Sequence, residues 1–203
     1  MKIICIGRNY AEHAKEMNAA VPTEPVFFLK PDTALIKDDQ PFYYPDFSKE
    51  IHHEVELVLK ISKAGKNIAP EFAHKYYDEI GVGIDFTARD IQAKCKEKGL
   101  PWEKAKAFDG SAPIGKFIHK NELQDMNNIS FHLTVNGNTV QKGNTKDLLF
   151  SFDAVVAYVS KFFTLKTGDL IYTGTPEGVG PVKIGDKLEA FIEERSLLVF
   201  EIK

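Results

Sequence analysis

The apolar positions fall into short runs, most of them spaced for strands rather than long helices. Residues 2–6 (KIICI) and 26–29 (VFFL) are compact apolar runs that read as strands. Between them, YAEHAKEMN (10–18) is built of good helix formers, with Asn9 in the capping position and Pro22 and Pro25 closing the segment. HHEVELVLKI (52–61) alternates at first and then turns wholly apolar, which predicts one strand. PEFAHKYYDEI (70–80) predicts a helix and GVGIDF (81–86) a buried strand. Thr87, with Asp90 three residues on, resembles a capping box and opens a helix toward Lys98, stopped by Gly99 and Pro101. Residues 101–128 predict no regular element. ISFHLTVNGNTVQKG (129–143) is the clearest local signal: two alternating runs about Asn136-Gly137, a favoured two-residue hairpin turn. Ser151 opens an amphipathic helix, FDAVVAYVSKFF, and LIYT, KLEAFI and LLVFEI add three short strands.

Strands dominate and do not alternate regularly with helices. That predicts an α+β, β-rich fold: a mixed, mostly antiparallel β-roll or barrel-like body with a few peripheral helices. A chain of 203 residues suits one domain, 1–203, with a core that needs no disulfides. The net charge of -3 and the scattered Lys and Arg residues argue against binding nucleic acid or an anionic membrane. No apolar run approaches the roughly 20 residues of a membrane helix, and the N-terminus lacks signal-peptide features. Cys5 and Cys95 form no CxxC pattern, so a reduced, cytoplasmic protein is expected.

Candidate chemistry centres on carboxylates. Glu54 and Glu56 flank Val55, and in a strand they share a face, their Cβ atoms roughly 7 Å apart. Among apolar neighbours two such groups either gain protons or share a cation. Asp85, at the end of the run GVGI, is a possible third ligand. Three hard oxygens favour Mg²⁺ or Mn²⁺ over zinc, with His52 and His53 left to structural roles. The same E-x-E pattern also suits the solvent face of an edge strand. His13 and Glu16 share one face of the first helix, as a carboxylate-oriented general base requires and as a plain surface pair also would. With little apolar surface to anchor it, the helix at 10–18 could act as a lid. TGTPEGVGP (173–181) is no P-loop, but its backbone and the Thr175 hydroxyl could meet a carboxylate. Locally, nothing singles out Lys106.

Seven segments occur in order: GRNYAEH, FLKP, HHEVEL, GIDFTARD, KGLPWEKAKAFDGSAP, VNG and TGTPEGVGP. Together they resemble the fumarylacetoacetate hydrolase family, in its short branch of acylpyruvate hydrolases and oxaloacetate decarboxylases, over nearly the whole chain. The resemblance implies Mg²⁺ or Mn²⁺ on Glu54, Glu56 and Asp85, a catalytic His13–Glu16 dyad on a lid, and Lys106 stabilising negative charge. It also implies substrate binding by Arg8, Arg89, Gln92 and Thr175, a small 2-oxo acid substrate and a homodimer. Hydrolysis of the carbon–carbon bond of acylpyruvates is the first expectation, with oxaloacetate decarboxylation or 2-hydroxydienoate isomerisation as alternatives. The competing class is a non-catalytic metal-binding module, whose first helix would pack away from the carboxylates.

Overall fold

Every residue from Ile3 to Ile6 is buried because both faces of its sheet are covered. The computed structural model describes residues 1–17 and 20–203. Its largest sheet runs in the order Val26–Lys30, Ile3–Gly7, Leu170–Tyr172, Val55–Ile61, Tyr77–Ile84, Ile118–His119. Ile3–Gly7 and Leu170–Tyr172 are parallel, with Ile3 opposite Leu170, and the other neighbours are antiparallel. Alternation divides the side chains: Ile4, Ile6, Leu57 and Leu59 enter the main core, whereas Ile3, Cys5, Val58 and Tyr172 form a second cluster on the opposite face. Burial on both faces is why these strands are uniformly apolar.

A four-stranded antiparallel sheet, Asn138–Asn144, Ser130–Val135, Lys187–Ile192 and Arg195–Glu201, sends Phe131, Leu133, Ala190 and Leu198 into the main core. A three-stranded sheet joins Gly180–Pro181, Ile51–His53 and Thr87–Ala88, and Leu35–Ile36 pairs with Ala112–Pro113. The fold is the expected strand-rich α+β, but its sheets stay separate and close no barrel among the described residues. Among the described residues four α-helices sit on it: α1 (Ala11–Glu16), α2 (Arg89–Lys98), α3 (Glu103–Lys106) and α4 (Phe152–Phe162). Among the described residues no helix is long and apolar enough to cross a membrane.

The hairpin forms as expected, with Asn136 (φ 52) and Gly137 (φ 79) both left-handed. Ser151 caps α4 by accepting from the Ala154 N–H at 3.3 Å, and α2 ends on left-handed Gly99. Other expectations need correction. Asn9 does not cap α1, whose N-cap is Tyr10. The Asn9 side chain instead binds both backbone groups of Phe150 and the Thr173 carbonyl. The segment 70–80 is a 3₁₀ turn, Pro70–Lys75, followed by the strand Tyr77–Ile84, because pairing with Val55–Ile61 overrides local helix propensity. Thr87 lies in a strand opposite His52 and does not cap α2, which Ala88 precedes. The irregular segment 101–128 contains α3. The helix expected over 10–18 ends at Glu16, and Asn18 lies outside the described residues.

Most consequential is the strand expected over 52–61. It breaks at Glu54, with Ile51–His53 in the three-stranded sheet and Val55–Ile61 in the six-stranded one. Its antiparallel partner crosses at the same place: Val55 pairs with Ile84 in one sheet, and His52 with Thr87 in the other. Glu54 and Asp85 therefore stand at the crossing, joined by a hydrogen bond from the Asp85 N–H to the Glu54 carbonyl at 2.8 Å.

Candidate metal centre and lid

Glu54, Glu56 and Asp85 converge although strand alternation does not bring them together. Glu54 is released by the break, Glu56 shares a face with Val58, and Asp85 follows the last paired residue of its strand. One ligand oxygen from each lies within 4.8 Å of the others, and all three residues are at most 5% exposed. The solvent-face alternative for E-x-E is therefore excluded.

The surroundings are cationic. Thr87 Oγ1 and Arg89 Nη2 donate to Glu54 Oε1 at 2.9 and 2.7 Å. Lys106 Nζ donates to Glu54 Oε2 at 2.7 Å and Asp85 Oδ2 at 2.8 Å. Lys30 Nζ stands 2.7 Å from Asp85 Oδ1 as an ion pair without hydrogen-bond angles, so that buried oxygen has no hydrogen-bond partner. The Gly174 N–H donates to Glu56 Oε2 at 2.7 Å. Gly174 is left-handed (φ +103), and a Cβ there would stand 2.6 Å from that of Asn9.

Burial raises the Glu56 carboxyl well above the carboxylate range, and the Asp85 and Glu54 charges push it the same way. Burial would raise Glu54 too, but Lys106 and Arg89 hold it well below. Burial would lower Lys106, which Asp85 and Glu54 instead hold above its ordinary value. Three hard oxygens gathered in a buried group, one of their carboxyls short of positive charge, fit a divalent cation.

Helix α1 covers this group. His13, 6% exposed, places Nδ1 3.1 Å from Glu16 Oε2. Glu12 pairs with Lys15 instead. Both Glu16 carboxylate oxygens accept from the Gly178 N–H, at 3.1 and 3.3 Å, hooking the helix to the loop TGTPEGVGP. His13 lines a narrow pocket with the three carboxylates, Arg8, Arg89, Gln92, Lys106 and Thr175, so every expected site residue reaches it except Glu16, which stands behind His13. Arg89 Nη1 also donates to Gln92 Oε1 at 2.8 Å. The pocket's free volume of about 40 Å³ is room for an ion and a water or two. A larger cavity, about 560 Å³, lies elsewhere, between Lys120–Asn127 and the start of α4.

Sequence reasoning missed four participants. Lys30 is buried against Asp85, and a lysine closing an apolar strand was the available signal. Met17 and Lys96 line the pocket without a distinctive local pattern. Gln141 is buried behind Thr175, and a β-bulge conceals it from the alternation. His52 and His53 stay outside the ligand group: His52 pairs with Glu50, and His53 Nδ1 lies 2.8 Å from Gln141 Oε1.

A histidine–glutamate pair closing over a buried hard-donor triad is the layout of an enzyme, with the helix placed where a purely structural metal module would not need it. The chain belongs to the fumarylacetoacetate hydrolase family: the family model for the fumarylacetoacetate (FAA) hydrolase C-terminal region matches residues 2–203. It is 47% identical over 197 residues to the oxaloacetate tautomerase YcgM of Escherichia coli, covering 97% of this chain and 90% of that protein. It is 42% identical over 201 residues to the human mitochondrial oxaloacetate tautomerase FAHD1, covering 99% and 91%. Among solved structures it is similar to fumarylpyruvate hydrolase from Pseudomonas aeruginosa in complex with Mn²⁺ and pyruvate. That likeness has a TM-score of 0.94 and 38% identity, over 100% of this chain and 89% of that one. Enzymes of this family act on small oxo acids.

Proposed function

We propose that this chain interconverts the enol and keto forms of oxaloacetate. The observation that carries the reading is the charge of the pocket wall: Arg8, Arg89, Lys96 and Lys106 line it together with a single oriented imidazole. A cationic wall suits a substrate with a carboxylate at each end, and one proton-transfer group suffices for tautomerisation. The names of the Escherichia coli and human relatives described above support the same choice.

A divalent cation held by Glu54, Glu56 and Asp85 would supply Lewis acidity to the 2-oxo group. Thr175 and Arg89 hold the substrate's carboxylate, and Arg8 and Lys96 face its far end. His13, oriented by Glu16, takes the proton from C3, and the imidazolium so formed delivers it to the 2-oxo oxygen; the reverse sequence restores the ketone. Lys106 faces the developing negative charge. The lid excludes bulk water, which would otherwise compete for the proton. The reading includes a single catalytic domain over 1–203 and, on the family resemblance, a cytoplasmic homodimer using Mg²⁺ or Mn²⁺.

Acylpyruvate hydrolysis, the first expectation from sequence, is the second reading, favoured by the likeness to a fumarylpyruvate hydrolase. There His13 would deprotonate an attacking water. The test follows the decay of enol absorbance on dissolving oxaloacetate, with and without protein and Mg²⁺ or Mn²⁺, beside pyruvate release from fumarylpyruvate. Faster enol decay is expected. An unchanged rate with efficient cleavage of fumarylpyruvate would overturn the first reading in favour of the second.

A further inference from the structure

Gln141 does not itself line the pocket, yet it ties together three of the elements that build it. It belongs to the strand Asn138–Asn144, and its side chain is almost fully buried. Plain alternation in NTVQKG would send Val140 inward and Gln141 outward. A bulge reverses this: Leu133 pairs with Gln141 and Thr134 with Thr139, so Val140 is the extra residue and remains half-exposed. Bulges beside active sites commonly re-aim a side chain in this way.

The amide can adopt only one orientation. The Val55 N–H lies 3.0 Å from one end and can only donate, so that end is Oε1. The Pro176 carbonyl lies 2.9 Å from the other end and can only accept, so that end is the NH₂. Two consequences follow. His53 Nδ1, 2.8 Å from Oε1, must carry its proton there. Thr175 Oγ1, 2.9 Å from Nε2, must accept a hydrogen bond, so its own proton, otherwise directed only to the Pro176 carbonyl at a long 3.5 Å, can turn to a better partner.

We infer that Gln141 is a positioning residue: it fixes Thr175 as a donor toward the substrate carboxylate and locks the Thr175 loop to the peptide between Glu54 and Glu56. The inference rests on the proposed role of Thr175 as a carboxylate contact. Gln141→Met keeps the length and apolar stem but loses both ends of the clamp.

The test is a double-mutant cycle with Thr175→Val, read as the affinity of Mn²⁺-loaded protein for oxalate, an inert mimic of a 2-oxo carboxylate. Gln141→Met should weaken oxalate binding by about tenfold, the worth of a lost hydrogen bond. It should cause no further loss once Thr175 is Val, as coupled residues behave. KM for oxaloacetate should rise with kcat nearly unchanged. Nitrogen spectra of the metal-free protein should show His53 protonated at Nδ1, and Gln141→Met should release that tautomer. Should Gln141→Met fail to fold, Gln141→Glu preserves the acceptor end alone and should lose the same coupling to Thr175. Additive losses, an unchanged oxalate affinity or a wild-type protein that does not bind oxalate would each overturn the inference. A wild type that binds oxalate but leaves oxaloacetate unchanged overturns the tautomerase reading and leaves the cycle decisive for Gln141.

Discussion

Glu56 differs from the other two carboxylates in having only a backbone N–H for company, whereas Lys106 and either Arg89 or Lys30 attend Glu54 and Asp85. Its pKa is raised in the fold. The stability it contributes to the metal-free protein is therefore fully present below the ordinary carboxylate range and is lost as pH rises through the folded value. Cation binding runs the other way, because it expels that proton. Mn²⁺ affinity should climb about tenfold per pH unit below the raised pKa, and Glu56→Gln should flatten the slope in calorimetric titrations. His13→Ala should lower kcat for oxaloacetate tautomerisation by about 10²–10⁴-fold in the enol absorbance assay, with Glu16→Gln costing less. Spacing put the carboxylates and the His13–Glu16 pair forward only beside plain surface readings, and the ordered family resemblance chose between them, because the break at Glu54 that gathers the carboxylates leaves no mark in the spacing. Lys30 and Gln141 were not legible in the sequence, since one depends on a contact between distant segments and the other on a bulge that reverses alternation.

At the scale of elements, the segments whose local chemistry agrees with their environment were readable: the Asn136-Gly137 hairpin, the Ser151-capped helix and the Gly99 stop. Those decided by distant pairing were not. Tyr77–Ile80 looks helical and is a strand because Val55–Ile61 runs alongside it. The break at Glu54 leaves no local mark, because it is imposed by the passage of a strand pair between two sheets. Asn9 shows how a correct residue can receive the wrong role. It clamps the base of α1 to Phe150 and Thr173 with three hydrogen bonds of 2.8–3.0 Å. Asn9→Ala should cost about 2–4 kcal/mol in urea unfolding, more than a helix cap would, because it strands buried backbone partners.

For the whole molecule, the strand-rich α+β class was readable from the frequency of short apolar runs, whereas the division into separate sheets was not, since strand order is not encoded by periodicity. The two larger sheets meet around Leu57, Leu59, Phe131 and Leu133. Phe131 is 1% exposed and comes from the sheet that also carries Gln141. Phe131→Ala should cost about 3–5 kcal/mol, seen as a lowered midpoint of thermal unfolding. Because Gln141 neighbours this core, the same variant should also weaken oxalate binding.

The parallel pairing of Ile3–Gly7 with Leu170–Tyr172 has a consequence for biosynthesis. Ile3–Gly7 leaves the ribosome long before its parallel neighbour Leu170–Tyr172. At ordinary rates of translation about 10–30 s pass before Leu170 emerges, while KIICI waits without that partner. An apolar strand edge exposed for that long is a natural client for a nascent-chain chaperone. The yield of folded protein should therefore depend on elongation speed and chaperone supply more than its finished stability would suggest.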